Sequence, residues 1–175
     1  MSDQSDASNR EARLRSEAAS FLAEFRSAVL STVDENGEPE ASYAPFVRLD
    51  DNAFYVYISD LSKHTRNLRE TPKASVFLVE DESTAAQIFA RKRLTFSCTA
   101  TMIERETPDW TRVLNQFDEK FGEVMEVLRP MQDFRLYRLA PQGGIFVKGF
   151  AQAYRITGPS LDEISHINDV GHQSA

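Results

Sequence analysis

The chain carries a single cysteine, Cys98, which excludes an internal disulfide framework and any metal centre built from cysteine alone. No apolar run approaches the roughly 18–20 residues needed to span a bilayer. The opening MSDQSDASNREAR is polar and acidic and has no apolar segment of a secretory signal, so the expected compartment is the cytoplasm. Excess positive charge is also missing. A net charge of −7 argues against nucleic acid or an anionic membrane as the partner. The nucleophile elbow, the phosphate loop, the dinucleotide-binding glycine pattern and the zinc-binding H-E-x-x-H are all absent. His166 and His172 are six residues apart, which does not fit a helical i,i+4 metal pair. There is no internal repeat and no low-complexity linker.

What is present is β-rich. At 175 residues the chain is long enough for one well-buried core and short for two domains. Runs at 28–33, 41–49 and 53–59 are separated by Asp34-Glu35-Asn36-Gly37 and Asp50-Asp51-Asn52. Asn-Gly between apolar runs predicts a hairpin, because both residues tolerate positive φ. Adjacent antiparallel strands with one apolar face need a covering surface, so the block is expected to close into a barrel. A short helix at 62–69 and a fourth run at 74–79 follow. The free N–H groups of that helix are either an anion site or only a capped connector.

The flanks are helical at three places. Residues 1–7 read as disordered, and Ser8-Asn9-Arg10-Glu11 fits a capping box that starts an amphipathic helix through Leu14, Ala18, Phe21, Leu22 and Phe25. Thr107-Pro108 begins a second helix, with Trp110, Val113, Leu114, Phe117, Phe121, Val124, Met125 and Leu128 on an apolar stripe that runs to Arg129-Pro130 and Gly122 as a kink or interruption within it. A short helix is predicted around 84–90, before Arg91-Lys92-Arg93. Cys98 alternates with Leu94, Phe96 and Ala100 and reads as a core residue, not a nucleophile. Two last β runs, 134–139 and 144–156, are predicted around a turn at Pro141-Gln142-Gly143-Gly144, with a bulge at Gly149. Pro45 marks an edge, a bulge or a ligand approach.

Several segments taken together resemble the HugZ/HutZ group of haem-utilisation proteins within the flavin-binding split-barrel superfamily that includes pyridoxamine-phosphate oxidases. They are Ser42-Tyr43-Ala44-Pro45-Phe46-Val47, His64-Thr65-Arg66-Asn67-Leu68, Phe89-Ala90-Arg91-Lys92-Arg93-Leu94-Thr95-Phe96, Gln132-Asp133-Phe134, Phe146-Val147-Lys148-Gly149-Phe150 and Gly171-His172. The resemblance implies a mainly β (α+β) fold: a six- or seven-stranded antiparallel split barrel with peripheral helices. It would occupy residues 8–157, with a ligand-contacting tail at 158–175. A homodimer that binds haem between subunits and degrades it oxidatively, using an electron donor, is what the group implies.

By the same resemblance His172 is the axial ligand of the haem iron and Asp133 hydrogen-bonds to it. His166 and His172 are one residue further apart than the group's pattern, so His166 is kept as a second candidate ligand. A carboxylate that accepts the ligand's Nδ1–H fixes its tautomer and strengthens its donation to iron. Haem propionates call for cations, and Arg91, Arg93, Lys63 and Lys148 are candidates, with His64 as a further cofactor-binding residue. FMN is the alternative ligand. In the superfamily's flavin oxidases an arginine binds the FMN phosphate at the position matching Ser42, and a phosphate-binding Ser-Arg-Lys matches Ser62-Lys63-His64. An FMN-dependent oxidoreductase and a non-catalytic haem carrier are therefore the competing expectations.

Overall fold

The computed structural model describes residues 2–158 and 160–167. They fall into two compact units, each built from several chain segments. One consists of Phe25–Phe77 and Phe96–Gln142. It contains β1 (Ser27–Val33), β2 (Pro39–Arg48), β3 (Phe54–Ser59) and α2 (Lys63–Glu70), then most of β4 (Lys73–Val79) and of β5 (Arg93–Ile103). After these come α3 (Pro108–Phe121), α4 (Val124–Leu128) and the first part of β6 (Phe134–Gly149). Six antiparallel strands run in the order β3-β2-β1-β4-β5-β6, and β6 pairs back onto β3 to close the expected barrel.

Local chemistry accounts for the hairpins. The Asp34 carboxylate accepts the N–H groups of Asn36 and Glu38, each at 2.9 Å, and Gly37 takes the left-handed conformation at φ 84°. Next, Asn52 turns at φ 61°, and Asp51 accepts the Ala53 N–H, the Tyr55 hydroxyl and the Arg138 Nε–H. Five of the six residues of β3 are buried because both of its faces are covered. Phe54 meets Phe46 and Phe96 at ring-centroid distances of 5.2 and 5.4 Å. Tyr55 and Tyr57 pack with Trp110, Val113, Leu114 and Phe117 of α3. Each such buried side chain contributes roughly 1.5–3 kcal/mol. As predicted, the Thr107 hydroxyl caps α3 by accepting the Trp110 N–H at 3.2 Å; at Gly122 the expected single stripe is interrupted outright, α3 ending there and α4 carrying its remainder.

The other unit comprises residues up to Glu24, Leu78–Thr95, and the described residues from Gly143 on. It contains α1 (Ser2–Ala23), the rest of β6, β7 (Gln152–Thr157) and β8 (Glu163–His166). Phe21 of α1 lies 6.3 Å from Phe146. The helix starts at Ser2, six residues before the predicted Ser8, since no glycine or proline interrupts residues 2–23. Around 84–90 only a 3-10 turn forms, Ile88–Ala90.

The predicted turn at Pro141-Gln142-Gly143-Gly144 is instead strand. Residues Phe134–Leu139 of β6 pair with β3 and residues from Gly144 on pair with β7. Pro141 falls between the stretch paired with β3 and the stretch paired with β7, so the N–H it lacks is missing from neither of those two ladders. The real turn is at Phe150-Ala151, and the predicted irregularity at Gly149 is present as a register shift after Val147. No helix among the described residues is long and apolar enough to cross a membrane.

Candidate functional site

Asp133 stands just before β6, opposite the end of β3. Its Oδ2 accepts the Ser59 hydroxyl at 2.6 Å, and its main-chain carbonyl accepts the Asp60 N–H at 2.7 Å. The Ser59 Oγ in turn accepts the Leu61 N–H at 3.1 Å. Beside it, Asp60 is clamped by Arg69 at 2.5 Å and by Arg135 at 2.7 Å. The Arg135 hydrogen bond holds the Asp60 carboxyl below its ordinary range.

The short helix α2 leads out of this corner. Thr65 is fully buried and donates its hydroxyl to the Ser59 carbonyl at 2.6 Å, while Asn67 donates to the buried Thr32 hydroxyl at 2.9 Å. His64 is 8% exposed, and its Nδ1 lies 3.0 Å from the Ser42 Oγ. Lys63, beside it, pairs with Glu40 of β2 at 2.8 Å, and that hydrogen bond raises the lysine's pKa. The cationic end of the connector is thus met by the chain's own carboxylate.

In the second unit the predicted cations have different fates. Arg91 donates to the Glu80 carbonyl and pairs with Glu82 at 2.9 Å, tying the base of the loop that carries Phe89. Lys148 pairs with Glu17 at 2.5 Å. Arg93 donates to the Arg91 carbonyl and, among the described residues, makes no ion pair. His166 lies in β8, where its Nε2–H donates to the Ala151 carbonyl at 2.8 Å and its ring meets Tyr154 edge-on at 5.2 Å. His172 lies outside the described residues. Cys98 is buried, with its thiol pushed up to about 12 by desolvation.

Asp133 thus belongs to the same unit as the α2 residues Lys63 and His64, whose own partners are Glu40 and Ser42 of β2, whereas Arg91, Arg93, Lys148 and His166 belong to the other unit. The partners missing from the sequence reading are Ser59, Glu40 and Glu17. Ser59 and Asp133 are 74 positions apart and come together only once β3 pairs with β6, which no local pattern announces. No group of three or more metal-ligating side chains occurs among the described residues.

Residues 14–148 match the family described as pyridoxamine 5'-phosphate oxidase. A haem oxygenase HutZ from Vibrio cholerae serotype O1 is 45% identical over 161 residues, which is 92% of this chain and 90% of the relative. The crystal structure of HutZ, described as a haem storage protein from Vibrio cholerae, superposes with a TM-score of 0.72 at 43% identity, covering 77% of this chain and 95% of that one. The crystal structure of Campylobacter jejuni ChuZ gives 0.81 at 34% identity, covering 93% and 67%.

Proposed function

The chain belongs to the HugZ/HutZ-type haem-utilisation proteins of the pyridoxamine 5'-phosphate oxidase-like split-barrel family, and from that premise we propose that it binds haem and degrades it oxidatively, releasing iron. The observation that carries this reading is the Asp133 carboxylate. It is held at Oδ2 by Ser59, and among the described residues its Oδ1 receives no hydrogen bond. That oxygen suits the ring N–H of an iron-bound histidine, which we assign to His172. His166 is the weaker candidate, because its Nε2 proton already serves Ala151.

Haem supplies the iron at which oxygen reacts; the protein's residues hold and orient it. Asp133 fixes the ligand's Nδ1 proton and raises the imidazole's basicity. Arg93 has no carboxylate partner among the described residues, so of the predicted cations it is the one whose charge is open to a propionate. Arg91, Lys148 and Lys63 already have acidic partners, and their role toward haem is secondary. His64, buried on Ser42, acts in the scaffold around α2.

A second copy of the chain fits the outer barrel face. The neighbouring β1, β2 and β4 bring together Val29, Tyr43 and Phe77, and Tyr43 is 64% exposed. Such an apolar stripe on a small barrel favours a homodimer. An electron donor is required for the reaction.

FMN is the second reading, since the matching family is named for a flavin-type oxidase. The Lys63–Glu40 pair speaks against it, because the ammonium that would meet a phosphate is already paired with a carboxylate. Titrating the apo-protein with hemin and, separately, with FMN tests the choice. A sharp Soret band saturating at one haem per protomer supports the proposal. Tight binding of FMN with quenched fluorescence and no Soret band would overturn it.

A further inference from the structure

We propose that Ser59 is the positioning residue for the Asp133 carboxylate, setting the direction in which Asp133 meets the haem-ligating histidine; this rests on the haem reading above. The Ser59 hydroxyl is committed on both sides. It donates to Asp133 Oδ2 at 2.6 Å and accepts the Leu61 N–H at 3.1 Å, so its proton points at the carboxylate. Its main chain is fixed as well: the Ser59 carbonyl accepts the buried Thr65 hydroxyl at 2.6 Å and the Ser62 N–H at 3.0 Å. From the other side, the Asp60 N–H holds the Asp133 carbonyl at 2.7 Å.

An aspartate side chain has two soft torsions. The closure of β3 on β6 places the Asp133 backbone, and the bond at Oδ2 stops the carboxylate from rotating. Oδ1 is thereby presented in one direction. Without the hydroxyl, the carboxylate samples other rotamers, and the imidazole it should orient loses both alignment and charge support. Removing such an outer partner of a metal ligand typically costs about 10–100-fold in activity or affinity.

The competing role is structural: Ser59 only closes the turn into α2 through the Leu61 N–H. Five full-length variants separate the two roles: Ser59→Ala, Ser59→Thr, the nearly isosteric Ser59→Cys, Asp133→Asn and the double variant Ser59→Ala/Asp133→Asn, each loaded with hemin. Two quantities are read: the iron–histidine stretching frequency of the ferrous form by resonance Raman, and the rate of Soret loss with ascorbate in air. Ser59→Ala is expected to lower the frequency and slow the decay about tenfold. Thr should restore both, Cys should fall between, and Ser59→Ala should add nothing to Asp133→Asn. If Asp133→Asn changes both readouts while the Ala and Cys variants keep wild-type values, Ser59 serves the turn alone and the proposal fails. If Asp133→Asn is itself silent, the Asp133 reading fails and takes the proposal with it. Should the Ala variant not fold, the Cys variant decides.

Discussion

His64 directs its Nδ1 at the Ser42 hydroxyl from 3.0 Å, and that hydroxyl donates to the Leu30 carbonyl at 3.0 Å. Because the serine proton is spent on Leu30, the serine oxygen accepts the Nδ1–H of a neutral imidazole. Its Nε2 is buried and, among the described residues, has no hydrogen-bond partner. Burial disfavours the imidazolium and lowers the His64 pKa below 6.5, against the weaker pull of Glu40.

This makes apo-protein stability depend on pH with a definite sign. The unfolded chain takes up a proton near 6.5, while the folded chain resists until a lower pH. The contribution of neutral His64 is therefore fully present above about pH 6.5 and is lost as pH falls from there through the folded value. Urea midpoints should drop between pH 7.5 and 5 in the wild type. In His64→Asn, whose amide replaces the Nδ1–H donor, that drop should shrink; an unchanged drop would count against a buried neutral His64.

Cys98 should be chemically silent in the folded protein. Only 4% exposed and pushed up to about 12, it offers almost no thiolate at neutral pH. A thiol reagent such as DTNB is expected to label it only in denaturant. Stoichiometric labelling of native protein within minutes would contradict the packing described.

Gly122 ends α3 at φ 68°, ψ −139°, a conformation costly for any residue with a Cβ, although an added Cβ there would meet nothing within 4 Å. Gly122→Ala should therefore destabilise by backbone strain alone, by roughly 1–3 kcal/mol in urea unfolding. A neutral effect would mean that the α3–α4 turn relaxes.

Glu40 should act as an internal competitor for phosphate. Glu40→Gln frees Lys63, so weak quenching of FMN fluorescence is expected in the variant and none in the wild type. Equal behaviour of the two proteins would remove the argument from the Lys63–Glu40 pair.

Much of this was legible locally. The Asp34–Gly37 hairpin, the Thr107-Pro108 helix start and the interior alternation around Cys98 each depend on neighbours within a few positions. What escaped depends on distant pairing. Pro141 and its glycines look like a turn until β6 is seen to change partner from β3 to β7. Lys148 and Arg91 look free until Glu17 and Glu82 are placed beside them. Ser59 carried no signal at all, because a serine ending a strand is ordinary until Asp133 arrives across the ladder.

The central claim is haem breakdown through His172, and aerobic turnover of the hemin-loaded protein with ascorbate and a ferrous chelator tests it most directly. The wild type should lose its Soret band and release close to one chelatable iron per haem, while His172→Ala should show altered ligation and lose turnover. A Soret band that survives with the iron retained would make the protein a carrier, and turnover unchanged in His172→Ala would refute the assigned ligand.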